Sequence, residues 1–376
     1  MKKLKHLLLV PIILVLICMT YLMLHMPEVS PTSWQSPQSN GYTGSFSQNN
    51  NLKHLSLLDI TPYTNPETVM YYDNWLYASV DGGIIIRLHE DGTSLSEVIN
   101  TGGAIVGFDF DSHGNIVFAD AAFTQEGGAI CIAYKEKNYK VSPLVTEYEG
   151  KNLMFPDGIA VDNADNIYFT DACEISAAQH SNSTTYASNI DHIAHTKTGK
   201  LYIYSTEKQS TEFIAGGFSF ANGISISQDE TSVFLSETSE YRIWKIDSKL
   251  RNAQVGDNGM EIIIQNLPGF PDNLSPGENG QIWIGLVSPR SDFLDSMSTN
   301  TLIRKMLLNL PDRLLATLMD GEQYSHICSI SESGKVITNL QATEIDYTNI
   351  TGVCETSDRL YLHSICGTNQ IAYIEK

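Results

Sequence analysis

Ile159-Ala160-Val161-Asp162-Asn163-Ala164-Asp165-Asn166-Ile167-Tyr168-Phe169-Thr170-Asp171 is the stretch that decides the fold. Two short apolar runs flank a turn of Asp and Asn, residues that hydrogen-bond their own backbone and tolerate positive φ. The segment therefore reads as a β-hairpin whose second strand ends in an acidic residue. The pattern returns about six times. Its other copies run from Val69 to Ala78, Phe108 to Asp120, Ile224 to Glu237, Leu274 to Gly285 and Val353 to His363. Asp111-Ser112-His113-Gly114-Asn115 and Glu278-Asn279-Gly280 supply turns of the same chemistry.

Strand candidates between the copies, at Ile84 to Leu88, Ile130 to Ala133 and Arg242 to Ile246, bring each unit to about four strands. Four-stranded units repeated radially make a propeller. The expectation is an all-β chain, a six-bladed β-propeller over residues 52–376, with an early strand near Leu55 to Ile60 completing the last blade so that no edge is exposed. Uneven spacing between copies argues against a solenoid, whose units stack at a fixed pitch. A sandwich is the other structural competitor. One segment breaks the pattern: Leu302, Ile303, Met306, Leu307 and Leu310 recur at helical spacing, Pro311 stops them, and Leu314, Leu315 and Leu318 resume. This predicts a helical insertion in blade five, packed on the blade, with a lid or membrane-touching element over the channel mouth as the alternative.

Outside the repeat, Lys2, Lys3 and Lys5 precede an uncharged apolar run from Leu7 to Leu24, long enough to cross a bilayer as a helix. His25, Met26 and Pro27 follow it in place of small residues at a cleavage site, so residues 1–26 read as a retained signal-anchor. Positive charge on the cytoplasmic side then puts the propeller on the non-cytoplasmic side, whether periplasmic, lumenal or extracellular. Residues 27–51, rich in Pro, Ser, Gln, Asn and Gly, read as a flexible linker.

Acidic residues outnumber basic ones by 43 to 23 for a net charge of -20, which excludes nucleic acid as a partner on electrostatic grounds. Cys131, Cys173, Cys328, Cys354 and Cys366 lack metal-finger spacing, and no disulfide is assigned to them. No G-x-S-x-G elbow is present. His113, His180, His192, His195, His326 and His363 fall mostly in expected turns or loops, which favours solvated surface residues over catalytic bases.

When the six copies are aligned on the first apolar residue of each hairpin, the position two before it is Glu67, Val106, Asp157, Asn222, Asp272 and Thr351. Five of the six carry an oxygen. Equivalent positions of successive blades stand at one height around the axis, so these side chains would converge at one mouth of the channel. Carboxylates and amides without a soft ligand suit a hard cation such as Ca²⁺; the bland reading is a set of turn caps.

Further motifs add a resemblance. Phe218-Ser219-Phe220-Ala221-Asn222-Gly223-Ile224, Ser236-Glu237-Thr238, Arg242-Ile243-Trp244 and Leu267-Pro268-Gly269-Phe270-Pro271-Asp272-Asn273-Leu274 resemble the core motifs of the strictosidine-synthase-like family. That family includes the adipocyte plasma-membrane-associated protein and is related to the paraoxonase and gluconolactonase/regucalcin propellers. Tyr168-Phe169-Thr170-Asp171 and the Leu-Pro-Asp-Arg segment ending at Arg313 are also similar. The resemblance implies a catalytic calcium held by Glu67, Asn222, Asp272 and Asn273. It also marks departures. The family's further Asn ligand falls at Pro156, leaving Asp157 as its substitute; the paraoxonase histidine of blade two aligns with Val106; and the glutamate of strictosidine synthase aligns with Thr351, so strictosidine synthase activity is not expected.

The function these residues predict is a calcium-dependent hydrolase of esters or lactones, arylesterase-like or lactonase-like. The cation would polarise the carbonyl while Asp272 activates water or attacks. The rival is a non-catalytic extracellular binding propeller with a structural cation. Expected partners are a small ester or lactone and, through the N-terminal helix, a membrane.

Overall fold

Asp162 shows why the repeat folds as it does. In the computed structural model, which describes residues 19–21, 24, 27, 29–319 and 323–376, its carboxylate accepts from the N–H groups of Ala164 (3.0 Å) and Asn166 (2.8 Å) and from Asn166 Nδ2 (2.9 Å). Asp111 does the same with His113, Asn115 and Asn115 Nδ2, at 2.9, 2.8 and 2.7 Å. Each turn so closed leaves its fourth residue, Gly114 or Asp165, at positive φ. The turns also tie blade to blade, since Ser112 Oγ donates to Asp165 at 2.7 Å.

Six antiparallel four-stranded sheets follow from these hairpins. Their innermost strands are Thr68–Tyr72, Ile105–Phe110, Pro156–Val161, Ala221–Ile226, Gly269–Pro276 and Ile350–Glu355. Each innermost strand packs on those of both neighbouring blades, and the last packs on the first, so the ring is closed. Closure comes from the N-terminal strand Ser56–Asp59, which pairs with Gln370–Glu375 from Ser56 opposite Tyr373 to Asp59 opposite Gln370. The last blade thereby gains its outer strand from the start of the chain, which removes an edge open to further pairing. Blade three carries an extra parallel strand, Ala253–Gln254, on its outer edge.

Close approach at the axis has a sequence cause. The residue after the aligned site position is glycine in four blades: Gly107, Gly158, Gly223 and Gly352. A Cβ at Gly107 would collide with the Asp157 carbonyl, at Gly158 with the Asn222 carbonyl, and at Gly223 with the Asp272 carbonyl and the Asn273 backbone. Only glycine lets the inner strands stand so near one another.

Helices leave the sheets on one side. Helix α1 (Thr184–Ala194) lies between the second and third strands of blade three; α2 (Asp292–Ser296), α3 (Thr301–Leu307) and α4 (Asp312–Met319) lie between those of blade five. The sequence reading missed α1, because its buried face of Ala187, Ile190, Ile193 and Ala194 is too small-residue-rich to stand out as an apolar stripe. Caps are supplied by Ser183, Ser291 and Asn300, whose side chains accept from Tyr186, Leu294 and Ile303 N–H.

Arg304 on α3 fastens this cover. It is 1% exposed, and its guanidinium donates to the carbonyls of Ile193 (2.6 Å), Ala194 (2.7 Å), Ser298 (2.8 Å) and Thr32 (2.6 Å). It thus satisfies the C-terminal end of α1, where a cation is also favoured by the helix dipole. Arg304→Met removes the guanidinium from four carbonyls, two of which keep a backbone N–H donor, and is expected to cost roughly 3 kcal/mol, read as a lower midpoint in denaturant-induced unfolding. An unchanged midpoint would show that the helices do not depend on it.

The segment expected to be a flexible linker is tied down from Thr32 onward. Thr32 N–H donates to Ala194 O (2.9 Å), Trp34 stacks on His195 with ring centroids 4.1 Å apart, and Arg290 holds Pro37 O at 2.6 Å. Leu52 is fully buried. Composition predicted freedom because too few aliphatic residues are present for a core of its own, yet polar backbone can be ordered by donors from elsewhere. Most of the expected anchor, residues 1–18 with 22, 23, 25 and 26, lies outside the described residues, and no helix among the described residues is long and apolar enough to cross a membrane. The five cysteines from Cys131 onward are unpaired.

Candidate metal centre at the channel mouth

At the start of the innermost strands the aligned positions meet. Glu67, Val106, Asp157, Asn222 and Asp272 all face one cavity of about 830 Å³ beneath the helices, a size typical of small-molecule sites. Asp157, Asn222 and Asp272 are 5%, 5% and 7% exposed.

The electrostatics report how near these groups stand. Burial pushes the Glu67 carboxyl well above the usual range, and the charges of Asp272 and Asp157 push it further. Asp157 is raised by burial and then by Asp272. Burial lifts Asp272 to about 7, against a hydrogen bond from Asn222 that lowers it. No cationic side chain figures among the causes at Asp157 or Asp272. Three carboxyls that repel one another in a buried mouth call for a positive charge from outside the protein.

Asn222 is the test of fit. Its Oδ1 is buried without a hydrogen-bond partner, an arrangement that costs free energy unless a ligand takes the oxygen. The available donors are all hard: carboxylates of Glu67, Asp157 and Asp272, and amide oxygens of Asn222 and Asn273. Asn273 donates its Nδ2 to the Glu67 carbonyl at 3.2 Å, which leaves Oδ1 as the atom it can offer a cation. Among the described residues no group of three or more His, Cys, Asp and Glu side chains is placed to hold a metal ion; the donor types present, carboxylates with amide oxygens, are those that suit calcium.

A layer of hydroxyls fixes the backbone behind them. Ser79 Oγ donates to Val106 O (2.8 Å), Thr170 Oγ1 to Asn222 O (2.9 Å), Ser236 Oγ to Asp272 O (2.6 Å) and Thr351 Oγ1 to Glu67 O (2.7 Å). Every one of these bonds crosses to the next blade, so four of the six blades position the aligned residue of their neighbour.

One expectation changes here. Thr351 does not line the cavity with the other aligned positions; it is fully buried behind them and its hydroxyl donates to the Glu67 carbonyl. Asp157, followed by Gly158 as Asn222 is by Gly223, faces the cavity at its aligned position.

Above the metal-facing groups stand Phe155, Phe220 and Phe270, two residues before Asp157, Asn222 and Asp272 and 2%, 3% and 7% exposed. Together with Val287, Phe293 and Leu318 they form an apolar patch in a wall that is otherwise mostly polar. His192 of α1 completes it. Its ring lies 4.9 Å from Phe220 and 5.4 Å from Phe270, and Nδ1 is 2.7 Å from Ser239 Oγ. Burial, aided by His195, pulls the imidazole down to about 3, so it is neutral near pH 7. Sequence gave no signal for His192, since α1 itself was not foreseen. His195, His326 and His363, also expected at the surface, are 0%, 1% and 2% exposed. His195 Nε2 meets Glu240 at 2.9 Å and His326 Nε2 meets Asn339 at 2.7 Å; both are structural.

Comparison with known proteins bears on the same residues. The family model described as SMP-30/Gluconolactonase/LRE-like region matches residues 75–292, and the strictosidine synthase-like N-terminal model matches residues 44–88. Strictosidine synthase-like 10 of Arabidopsis thaliana is 30% identical over 247 residues, 64% of this chain and 61% of that protein. The human adipocyte plasma membrane-associated protein is 24% identical over 359 residues, 90% of this chain and 81% of its own. The alignments span 61%, 53% and 57% of the lengths of three plant relatives. Among solved structures, a gluconolactonase of Xanthomonas campestris superposes with a TM-score of 0.59 at 15% identity, over 94% of this chain and 98% of its own. A calcium-binding regucalcin of Agrobacterium tumefaciens gives 0.56 at 12% identity, over 86% and 94%. At these identities the structural likeness speaks for the fold.

Proposed function

The chain belongs to the SMP-30/gluconolactonase/LRE-like family, with a strictosidine-synthase-like N-terminal segment, and from that premise we propose that it is a calcium-dependent hydrolase of esters or lactones. The observation that carries the reading is the convergence of three mutually repelling carboxyls and the unpartnered Asn222 Oδ1 beneath a patch of three phenylalanines in one cavity. Relatives described as gluconolactonase and as calcium-binding regucalcin support the same class.

Glu67, Asp157, Asn222, Asp272 and Asn273 would hold the ion. When bound, calcium supplies Lewis-acid polarisation of a carbonyl and stabilisation of negative charge on its oxygen. The protein does the rest. Phe155, Phe220 and Phe270 bind the apolar part of an ester and exclude water from the floor. Asp272, held by Asn222, has a carboxyl poised near neutrality and takes a proton from water or attacks the carbonyl itself. His192, neutral and oriented through Nδ1 by Ser239, presents its ring to the same space, where it can hydrogen-bond an incoming water or the leaving oxygen. Thr351, with its hydroxyl occupied, offers no acid or base for amine–aldehyde condensation. The reading extends to place: residues 1–26 tether the chain to a membrane with the propeller on its non-cytoplasmic side.

Purified full-length chain in detergent, assayed against aryl esters and lactones with calcium or with chelator, is expected to turn over at least one class only when calcium is present. Flat activity across the panel, with calcium raising the melting temperature, would instead leave a binding propeller braced by a cation.

A further inference from the structure

Beyond the glycine ring the channel opens at its other mouth into a second cavity, of about 290 Å³. Val69, Phe108, Ile159, Ile224 and Leu274 give it an apolar wall drawn from five blades. Set into that wall are polar atoms left short of partners. Thr68 Oγ1 and Ser225 Oγ are buried without a hydrogen bond; the ring of His363 faces the Glu67 backbone, but neither of its nitrogens makes a hydrogen bond of good geometry, and the three residues are 9%, 2% and 2% exposed. Scattered orphans of this kind are rare because each costs about 1–3 kcal/mol. Three orphan-bearing residues lining one cavity point to a ligand.

We propose that this second mouth is a binding site for a small, uncharged, mainly apolar molecule, mono- or bicyclic, bearing a hydroxyl or carbonyl oxygen. A cavity of roughly 150 Å³ suffices for benzene, so about twice that volume takes a fused bicyclic skeleton. A neutral imidazole offers one N–H donor and one acceptor, and each hydroxyl offers both, which matches an alcohol or ketone rather than an ion. The carboxylate that might have drawn a cation, Asp109, is already held by the N–H groups of Val161 (2.9 Å) and Phe110 (2.7 Å). A carboxylate or phosphate ligand would meet Asp109 at the wall and Glu230 beside it. The two cavities share no lining residue, Asn273 being the one ligand candidate on the wall of the second, and the proposal does not rest on hydrolytic activity.

The probe is 2-naphthol, whose fluorescence reports its surroundings and which has no bond for a hydrolase to cleave. Calcium-loaded full-length chain in detergent is expected to bind it saturably, one per chain, with detergent alone as the blank. Ser225→Leu, which fills the cavity and removes a hydroxyl, and His363→Phe, which keeps the ring and removes both nitrogens, are each expected to weaken binding at least tenfold. His192→Gln, in the other cavity, is expected to leave the affinity within twofold. Should one of the first two fail to fold, as judged by its melting curve, the other still decides. Absence of saturable binding, which would mean that only water fills the mouth, overturns the proposal. So does binding that survives Ser225→Leu or follows His192→Gln instead.

Discussion

Replacing Asp272 with alanine is expected to lower calcium-dependent ester or lactone turnover at least about a hundredfold, or roughly 3 kcal/mol in barrier, and to weaken calcium uptake in the same protein. Two losses coincide in one side chain. The carboxylate is a ligand candidate buried to 7% exposure, and once calcium has displaced its proton it is the group placed to act as base or nucleophile. Removing it also releases Asn222 from its hydrogen bond. His192→Gln supplies the contrast: it should cut turnover by about tenfold through loss of the ring that positions water and substrate while calorimetric calcium uptake stays intact, because His192 touches the aromatic wall and Ser239. Undiminished turnover in Asp272→Ala would remove that residue from the mechanism. Loss of calcium uptake in His192→Gln would show that the histidine acts on the site's architecture.

How much of this was legible in the sequence depends on whether the cause was local. The turn at Asp162 to Asn166 is closed by its own side chains, so hairpin, repeat and blade number could be read from periodicity. Radial equivalence then carried Glu67, Asp157, Asn222 and Asp272 to one mouth without any contact information. Thr351 passed the same alignment and failed in the structure, because an alignment sees that an oxygen is present and not that the Glu67 carbonyl, 284 residues away, has claimed it. His192 was missed for a related reason: it reaches the cavity on a helix whose packing surface is made of alanines and isoleucines, held by Arg304 from 112 positions further on. The order of residues 32–38 likewise comes from Arg290 and Arg304, not from their own composition.

The pH dependence of calcium stabilisation is the second large effect and follows from the sign of the carboxyl shifts. Glu67, Asp157 and Asp272 all stand above their unfolded values. Without metal the folded chain therefore holds protons more tightly than the unfolded one, so these groups stabilise it at low pH, and that stability is lost as pH rises from about 4 through 7. For Asp272 alone, moving from 3.8 to about 7, the loss is on the order of 4 kcal/mol at most. Calcium competes with those protons, so it binds weakly where the carboxyls are protonated and strongly where they are ionised and repel one another. At about one hundred times its dissociation constant it would return roughly 2.7 kcal/mol. The expected result is a melting temperature that chelator lowers by several degrees at pH 8 and hardly changes at pH 5, measured by calorimetry on the full-length chain in detergent. A chelator shift of equal size at both values, or none at pH 8, would mean that the three carboxyls do not share an ion, and the catalytic reading would fall with it.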